Sequence, residues 1–203
     1  MSNWQDWLAE QRAKSQMSAT VVPLSEAQPW GLQDGGARFG RPDGGFFNLV
    51  GVHVVAQREV REWNQPLLQE VGEGAVVLFQ SLFDLGYFLV AARQEPGNTT
   101  KPGHVLLGPP LQASWSNLQQ AHGGKRPPRA ELLDGKEIEW VRLTMDGGRF
   151  IGKENRYAVV RVSPHTFELA DNEMWLKRDE LDEALREGEV NEHLALVLLL
   201  AVL

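Results

Sequence analysis

The amino-acid sequence predicts an α+β fold, in which a mixed β-sheet is flanked by helices from the two ends of the chain. Runs rich in β-branched and aromatic residues fill the middle of the 203 residues, and Gly, Pro and Asn turns separate them. Apolar residues at helical spacing occur near the two termini. No internal repeat or long linker divides the chain, so we expect a single domain over residues 1–203.

The predicted elements follow in chain order. A helix is expected over 3–14, and the Pro- and Gly-rich segment after it is interpreted as a loop with a short extended piece at 21–24. The predicted strands cover 46–56, 75–83, 86–94, 104–108, 111–116, 138–145 and 156–162. Helical spacing returns over 178–187 and in the apolar tail that begins at Asn191.

Composition excludes several classes of function. The chain has no Cys, which excludes disulfides, thiolate nucleophiles and sulfur-ligated zinc. The net charge of −7 has the wrong sign for non-specific nucleic-acid binding, so no nucleic-acid partner is expected. The N-terminus lacks the features of a signal peptide, and the longest apolar stretch, 194–203, is about half the length of a membrane span. We therefore expect a cytoplasmic protein without membrane contact.

The segment REVRE, residues 58–62, resembles part of the metal-binding helix of Nudix hydrolases, but the rest of that motif is absent. Val50 and Trp63 stand where the motif has Glu. Magnesium needs several carboxylate oxygens in octahedral geometry, which Glu59 and Glu62 alone do not supply. The sequence therefore predicts no metal site.

Several sequence blocks occur in a fixed order. They are GGFFNLVGVHV from residue 44, REVREWNQP, ARQEPGN, QASWSN, the HGG at His122, the NRY at Asn155 and the EVNEHLALVLLLAVL tail. In this order the chain resembles the NDP-hexose 2,3-dehydratase family. The resemblance implies a Nudix-like fold without the metal-binding box. It also implies a hydro-lyase of deoxysugar and antibiotic biosynthesis, acting on a nucleotide-linked 4-keto-6-deoxyhexose without a cofactor.

The chain departs from this family in two ways. Family members usually hold two tandem copies of a unit of this length, whereas this chain holds one. Arg41 also stands where relatives usually have a His. We expect a homodimer to supply the second copy, and the LALVLLLAVL tail, 194–203, to lie in the core or at that interface because it is apolar on nearly every face.

The expected reaction follows from the substrate. A ketone at C4 makes the C3 proton acidic, so a base can remove it and form an enediolate. The enediolate expels the C2 hydroxyl once an acid protonates it, and tautomerisation gives a 3,4-diketo-2,6-dideoxy sugar. The site needs a base, an acid, a donor to the C4 oxygen and cations for the diphosphate, and no metal or hydride carrier.

Three residues are the catalytic candidates. His122, in a Gly-rich loop, is the candidate for the proton shuttle, because imidazole titrates near neutrality. Glu95, at the end of an apolar strand, is a candidate acid. Tyr157 could donate its phenol to the C4 oxygen. The alternatives are a surface or capping role for His122, a turn role for Glu95 and a packing role for Tyr157.

The candidates for binding substrate fall into two groups. Side chains suited to sugar hydroxyls are Asn98, Gln112, Ser114, Ser116, Asn117 and Asn155, of which Gln112, Ser114 and Ser116 alternate along a predicted strand whose other side carries Trp115 in the core. Arg149 and Arg156 are the leading diphosphate ligands, with Lys125 assisting, and Trp63 could stack on the nucleobase or anchor the core. His193 is expected to be exposed or at an interface.

Two alternatives to the dehydratase remain open at this stage. The chain could be a non-catalytic NDP-sugar-binding module that completes a site with a partner, or a dehydratase or isomerase of another activated substrate.

Overall fold

The computed structural model describes residues 3–70, 72–120, 123 and 125–201. Its α-helices are α1 (Trp4–Lys14), α2 (Trp115–Leu118), α3 (Arg178–Arg186) and α4 (Glu192–Leu200). Its strands are β1 (Gly31–Gln33), β2 (Arg38–Gly40), β3 (Asn48–Val55), β4 (Glu62–Gln69), β5 (Gly74–Ser81), β6 (Tyr87–Gln94), β7 (Val105–Gly108), β8 (Leu111–Ala113), β9 (Val141–Thr144), β10 (Glu154–Val162) and β11 (Glu173–Lys177). The α+β prediction is confirmed.

The strands form two sheets. The smaller sheet is antiparallel, in the order β1-β2-β3-β4. The larger sheet has the order β11-β6-β5-β10-β9, with β7 added to β6 and β8 added to β5. Strands β5 and β10 run parallel and the other neighbours are antiparallel, so the larger sheet is mixed, as predicted.

Strand β5 is buried on both faces, which explains its continuous apolar sequence. Val76 and Leu78 point to one side, into a core that α1, α3 and α4 complete. Val77 and Phe79 point to the other side, where the segment 130–140 covers the sheet. The helices at the two ends of the chain therefore pack on the same face of the larger sheet.

Strands β5 and β6 diverge, and this divergence makes room for the site. They pair with each other only at Phe79–Leu89 and Gln80–Phe88. Beyond those pairs, β6 continues against β7 and β5 continues against β8. Strands β7 and β8 therefore lie between the two diverging strands, β7 paired with β6 and β8 paired with β5.

The segment that resembles part of a Nudix helix is not helical here. Glu59 lies in the turn between β3 and β4, and Glu62 begins β4. Pro66 sits in this strand because β4 is at the edge of its sheet, where a missing N–H is tolerated. Among the described residues, no three His, Asp or Glu side chains are grouped as metal ligands.

The structure corrects several predicted elements. The strand predicted at 111–116 ends at Ala113, because the Ser114 hydroxyl caps α2 by accepting from the N–H of Asn117 at 3.3 Å. Trp115, predicted in the core, is 39% exposed. Within the extended piece expected at 21–24, a 3₁₀ turn begins at Leu24. Strands β1, β2, β4 and β11 have no counterpart in the prediction.

No helix in the described part of the chain has both the length and the apolar character needed to cross a membrane.

Candidate active site

A cavity of about 340 Å³ lies beside β8. Side chains from β5, β6, β8, β10, α2 and α4 reach it, together with loops before β5 and after β9. Its lining residues are Glu70, Val76, Arg93, Glu95, Gln112, Ala113, Ser114, Asn117, Met145, Phe150, Lys153, Asn155 and His193. Most of these side chains are polar, and four carry ionisable groups other than Arg.

Glu95 follows β6 and is surrounded by hydrogen-bond donors. The Gln112 amide donates to Glu95 Oε1 at 2.8 Å, and the Asn98 amide donates to Oε2 at 3.4 Å. Nε of Arg93 lies 3.9 Å from Oε1. Together these contacts fix the orientation of the Glu95 carboxylate.

His193, on the first turn of α4, lies on another side of the cavity. Its Nδ1 is 2.9 Å from the hydroxyl of Tyr157, which is fully buried. Burial lowers the pKa of His193, and the positive charges of Arg93 and Lys153 add to this effect, while Glu192 and Glu95 oppose it. Burial also raises the pKa of Tyr157. The pair is therefore a neutral imidazole against a neutral phenol at pH 7.

The direction of the Tyr157–His193 hydrogen bond follows from the available acceptors. The hydroxyl can donate to Nδ1 of His193 or to Sδ of Met145 at 3.6 Å. A thioether sulfur is a weak acceptor, so we assign the proton to the imidazole bond. Nε2 of His193 then carries the hydrogen, and His193 can act as a donor to the cavity.

Lys153 and Glu70 form an ion pair at the same cavity. Nζ of Lys153 lies 2.9 Å from Glu70 Oε2 and donates to the Gly72 carbonyl at 3.2 Å. Asn155 is buried beside it, where Oδ1 accepts from the N–H of Gly74 at 3.1 Å. These contacts hold the β10 side of the cavity.

Arg93 is held mainly by backbone carbonyls. It donates to the carbonyl of Gln112 at 3.2 Å and to that of Pro109 at 3.4 Å. Gly108 provides the space, because a Cβ there would lie 2.4 Å from Arg93 Cδ. Burial lowers the pKa of Arg93, and Glu95 opposes that shift. The side chain stays charged, because an arginine pKa begins far above neutrality.

The structure brings most of the predicted site residues together. Glu95, Gln112, Ser114, Asn117 and Asn155 line the cavity. Three more contact that group. They are Asn98 on Glu95, Ser116 on Ser114 at 2.9 Å, and Tyr157 behind His193.

Four predicted binding residues lie away from the cavity. Trp63 lines a separate cleft at the β3–β4 turn. Arg156 points to the opposite face of β10, where it stacks on Trp140 at 4.8 Å. The side chain of Arg149 is exposed next to Asp146, although the neighbouring Phe150 lines the cavity, and Lys125 is exposed. His122 lies outside the described residues.

His193 corrects the sequence prediction most directly, because it was expected to be exposed or at an interface. It is part of the cavity wall instead. The sequence contained one signal that bears on it. Asn191 precedes an apolar helical run, as N-cap residues do, and this places His193 in the first turn of the helix. Arg93 had a similar signal, since it is two residues before Glu95.

A neutral imidazole and a hydrogen-bonded carboxyl that face one polar cavity are groups that acid–base catalysis uses. The fold and the cavity thus define an α+β protein with a polar site in which a carboxyl could transfer a proton and an imidazole N–H could bind an oxygen of the substrate.

The family of the chain is shown by comparison with known proteins. Residues 1–200 match the family model described as NDP-hexose 2,3-dehydratase, and the chain belongs to that family. One similar protein is the dTDP-4-dehydro-6-deoxy-alpha-D-glucopyranose 2,3-dehydratase of Streptomyces violaceoruber, which is 30% identical over 202 residues. Proteins with the same name from Amycolatopsis orientalis and Saccharopolyspora spinosa are 28% and 29% identical.

These relatives are longer than the chain. The matches cover 97%, 90% and 89% of this chain but only 44%, 40% and 37% of the respective relatives. The chain therefore spans less than half the length of each of them.

Proposed function

We propose that the chain is a 2,3-dehydratase of a nucleotide-linked 4-keto-6-deoxyhexose and that the cavity is its active site. The observation that carries this proposal is the placement of Glu95 and the Tyr157–His193 pair around one cavity in a member of this family. The relatives named above are dehydratases of dTDP-4-dehydro-6-deoxy-alpha-D-glucopyranose. A sugar of that class is the substrate we propose here.

His193 is the group we assign to the C4 oxygen. Removal of the C3 proton places negative charge on that oxygen, and a donor fixed in advance stabilises it. A neutral imidazole with hydrogen on Nε2 is such a donor, and Tyr157 holds it in this form. The sequence suggested the Tyr157 phenol as the donor to the C4 oxygen, and we now propose that Tyr157 acts on this oxygen indirectly, by orienting His193.

Glu95 is the group we assign to proton transfer at C3 and C2. It is the carboxyl on the cavity wall that is not paired with a lysine, since Lys153 pairs with Glu70. The amides of Gln112, Asn117 and Asn155 remain our candidates for the sugar hydroxyls. Arg149, at the edge of the loop that carries Phe150, remains our candidate for the diphosphate. The reaction consumes no oxidant, because the diketo sugar and water together hold all the atoms and electrons of the substrate.

We further propose that the active form is a homodimer. The chain spans less than half of each dehydratase named above, and a second copy would place two such units together. In α4, Leu194, Val197 and Leu198 are buried in the protein's own core, whereas Leu199 is 59% exposed. Leu199 is therefore our candidate for the dimer contact. We propose neither a nucleic-acid partner nor a membrane partner.

The same length difference favours a second candidate function. If catalysis needs the longer arrangement, this chain would be an NDP-sugar-binding module without activity of its own.

The experiment that separates the two uses the purified chain and dTDP-4-keto-6-deoxyglucose, with the product followed by mass spectrometry. The dehydratase predicts a product lighter by one water and carrying a 3,4-diketo group. Tight binding without product supports the binding module, and neither binding nor product points to another activated substrate. His165→Gln, at an exposed site, is the matched control for variants of His193.

A further inference from the structure

A hydrogen-bond relay of two amide side chains, Asn191 and Gln112, connects the N-terminus of α4 to Glu95. Nδ2 of Asn191 donates to Oε1 of Gln112 at 2.8 Å, and Nε2 of Gln112 donates to Oε1 of Glu95 at 2.8 Å. Asn191 is buried, and its backbone N–H is bound to the carbonyl of Leu107 at 2.8 Å. The relay therefore begins at a side chain that the fold holds in place.

The helix cap determines which group donates at each hydrogen bond of the relay. Oδ1 of Asn191 accepts the N–H of Leu194 at 2.9 Å, so the other end of this amide must be the donor. Gln112 must then present its oxygen to Asn191 and its NH₂ group to Glu95. Glu95 consequently receives a donor on Oε1, which orients its carboxylate.

Other groups around Glu95 add to this hold on the carboxylate. Asn98 donates to its other oxygen, and Arg93 lies beside it on β6. The other titratable groups described on the cavity wall are His193 on α4 and the Lys153–Glu70 pair, and the pKa of His193 responds to the charge of Glu95. Packing around Asn191, where the relay begins, is tight, since a Cβ on Gly108 would lie 2.9 Å from Nδ2 of Asn191.

We propose that Asn191 is a positioning residue which, through Gln112, holds Glu95 as the carboxylate base of the reaction. This inference rests on the proposed dehydratase function. The C3–H bond breaks, its proton passes to Glu95, and the electron pair forms the C3–C4 double bond of the enediolate. Protonated Glu95 then returns the proton to the C2 hydroxyl, which leaves as water while the C4 ketone re-forms and the C3–C4 electron pair becomes the C2–C3 double bond. Tautomerisation of this enol gives the 3,4-diketo sugar. Glu95 is thus a base first and the predicted acid second.

Asn191→Asp tests the donor direction of the relay and keeps the N-cap of α4, because Asp and Asn are equally good N-caps. An Asp at this position has only acceptors for Gln112, so the Gln112 amide must turn and present its oxygen to Glu95. The acidic limb of the pH profile for C3 proton exchange should move to higher pH by about one unit, which is about a tenfold loss of rate on that limb. The rate above pH 8 should stay near that of the wild type.

Gln112→Leu supplies the matched background. It removes the donor on Glu95, and Asn191→Asp should then cause no further shift, because its effect passes through Gln112. A shift of the same size in both backgrounds would overturn the inference. An equal loss of rate at all pH values, with no shift of the limb, would also overturn it.

A readout independent of activity distinguishes this inference from the proposed function. In a ¹³C NMR titration, the Glu95 carboxyl should take up its proton at higher pH in Asn191→Asp than in the wild type. This shift in a chain that shows no C3 exchange would support the relay and contradict the dehydratase. Active enzyme whose Glu95 titrates identically in both proteins would contradict the relay alone.

Discussion

Burial lowers the pKa of His193, and the proposed dehydration uses the neutral imidazole that results. The hydroxyl of Tyr157 selects the ring nitrogen that carries the hydrogen. Neither effect can be read from the residues next to His193 in the sequence, because both come from strand β10 and the cavity wall. The role of this histidine is therefore a property of the fold.

Replacement of His193 by Gln should reduce the rate of C3 exchange by roughly 10²–10³-fold, which is the usual effect of losing a fixed donor to a developing oxyanion. The substrate should still bind, since the donor is needed most in the transition state. Exchange rates by NMR and nucleotide-sugar affinity by calorimetry check both parts. The variant His165→Gln should match the wild type, and an unchanged exchange rate in His193→Gln would move the C4 donor elsewhere.

His193 should also make stability depend on pH. Its pKa in the folded chain is below that in the unfolded chain, so the unfolded state binds the proton first as pH falls. This contribution is fully present above pH 6.5, the ordinary value, and is lost as pH falls through 6.5 toward the lowered pKa. Within that window the slope is at most about 1.4 kcal/mol per pH unit.

Urea unfolding of the wild type and His193→Gln between pH 7.5 and 5 measures this term. The free energy of unfolding of the wild type should fall more steeply with acid than that of the variant. Parallel curves would show that His193 titrates alike in both states.

At the scale of elements, a buried ion pair between Arg129 and Glu173 joins the start of the segment 130–140, which covers the larger sheet, to β11. Arg129 donates to both oxygens of Glu173, whose side chain is 3% exposed, and its guanidinium stacks on Phe167 at 4.6 Å. Glu173 also accepts the N–H of Ala170 at 2.9 Å. Together these contacts attach the covering segment to the larger sheet.

Arg129→Ala should lower the free energy of unfolding by about 3–5 kcal/mol, because it leaves the buried Glu173 carboxylate without its partner. Arg126→Ala is the matched control, since the Arg126–Asp134 pair is exposed and exposed pairs contribute little. Chemical denaturation of both variants checks the difference. Equal losses in the two variants would contradict this account of how the segment is attached.

The elements that the sequence predicted well have a strong local pattern. The apolar run of β5 and the periodic spacing of α3 and α4 appear at their observed positions. Short strands such as β1 and β11 depend on partners distant in the chain, so local pattern does not reveal them. The strand predicted through Ser116 was wrong because a helix cap at Ser114 competes with strand alternation.

The candidate site divides in the same way. Glu95, Gln112 and Asn155 were predicted as site residues and line the cavity, whereas Lys153 and His193, although His193 lies in the tail block, reach the cavity only through tertiary packing. The Nudix-like label, the single-domain boundary and the cytoplasmic location stay predictions.

At the scale of the whole molecule, assembly is the property on which the account depends. Leu199→Glu should produce a folded monomer with reduced dehydratase activity, because a charge at an apolar two-fold contact appears twice in the interface. Leu185→Glu, at an exposed apolar position on α3, is the control and should leave the dimer intact. Light scattering measures both. A wild-type monomer with full activity would contradict the dimer and leave α4 wholly to its own core.

The most direct test of the central claim is proton exchange at C3, measured by NMR with the purified chain, dTDP-4-keto-6-deoxyglucose and D₂O buffer containing EDTA. We expect deuterium at C3 of the recovered substrate and at C2 of the product, together with loss of the C2 hydroxyl, and we expect all of these to be abolished in Glu95→Gln. A chain that binds the nucleotide sugar but produces neither exchange nor loss of the hydroxyl would contradict it.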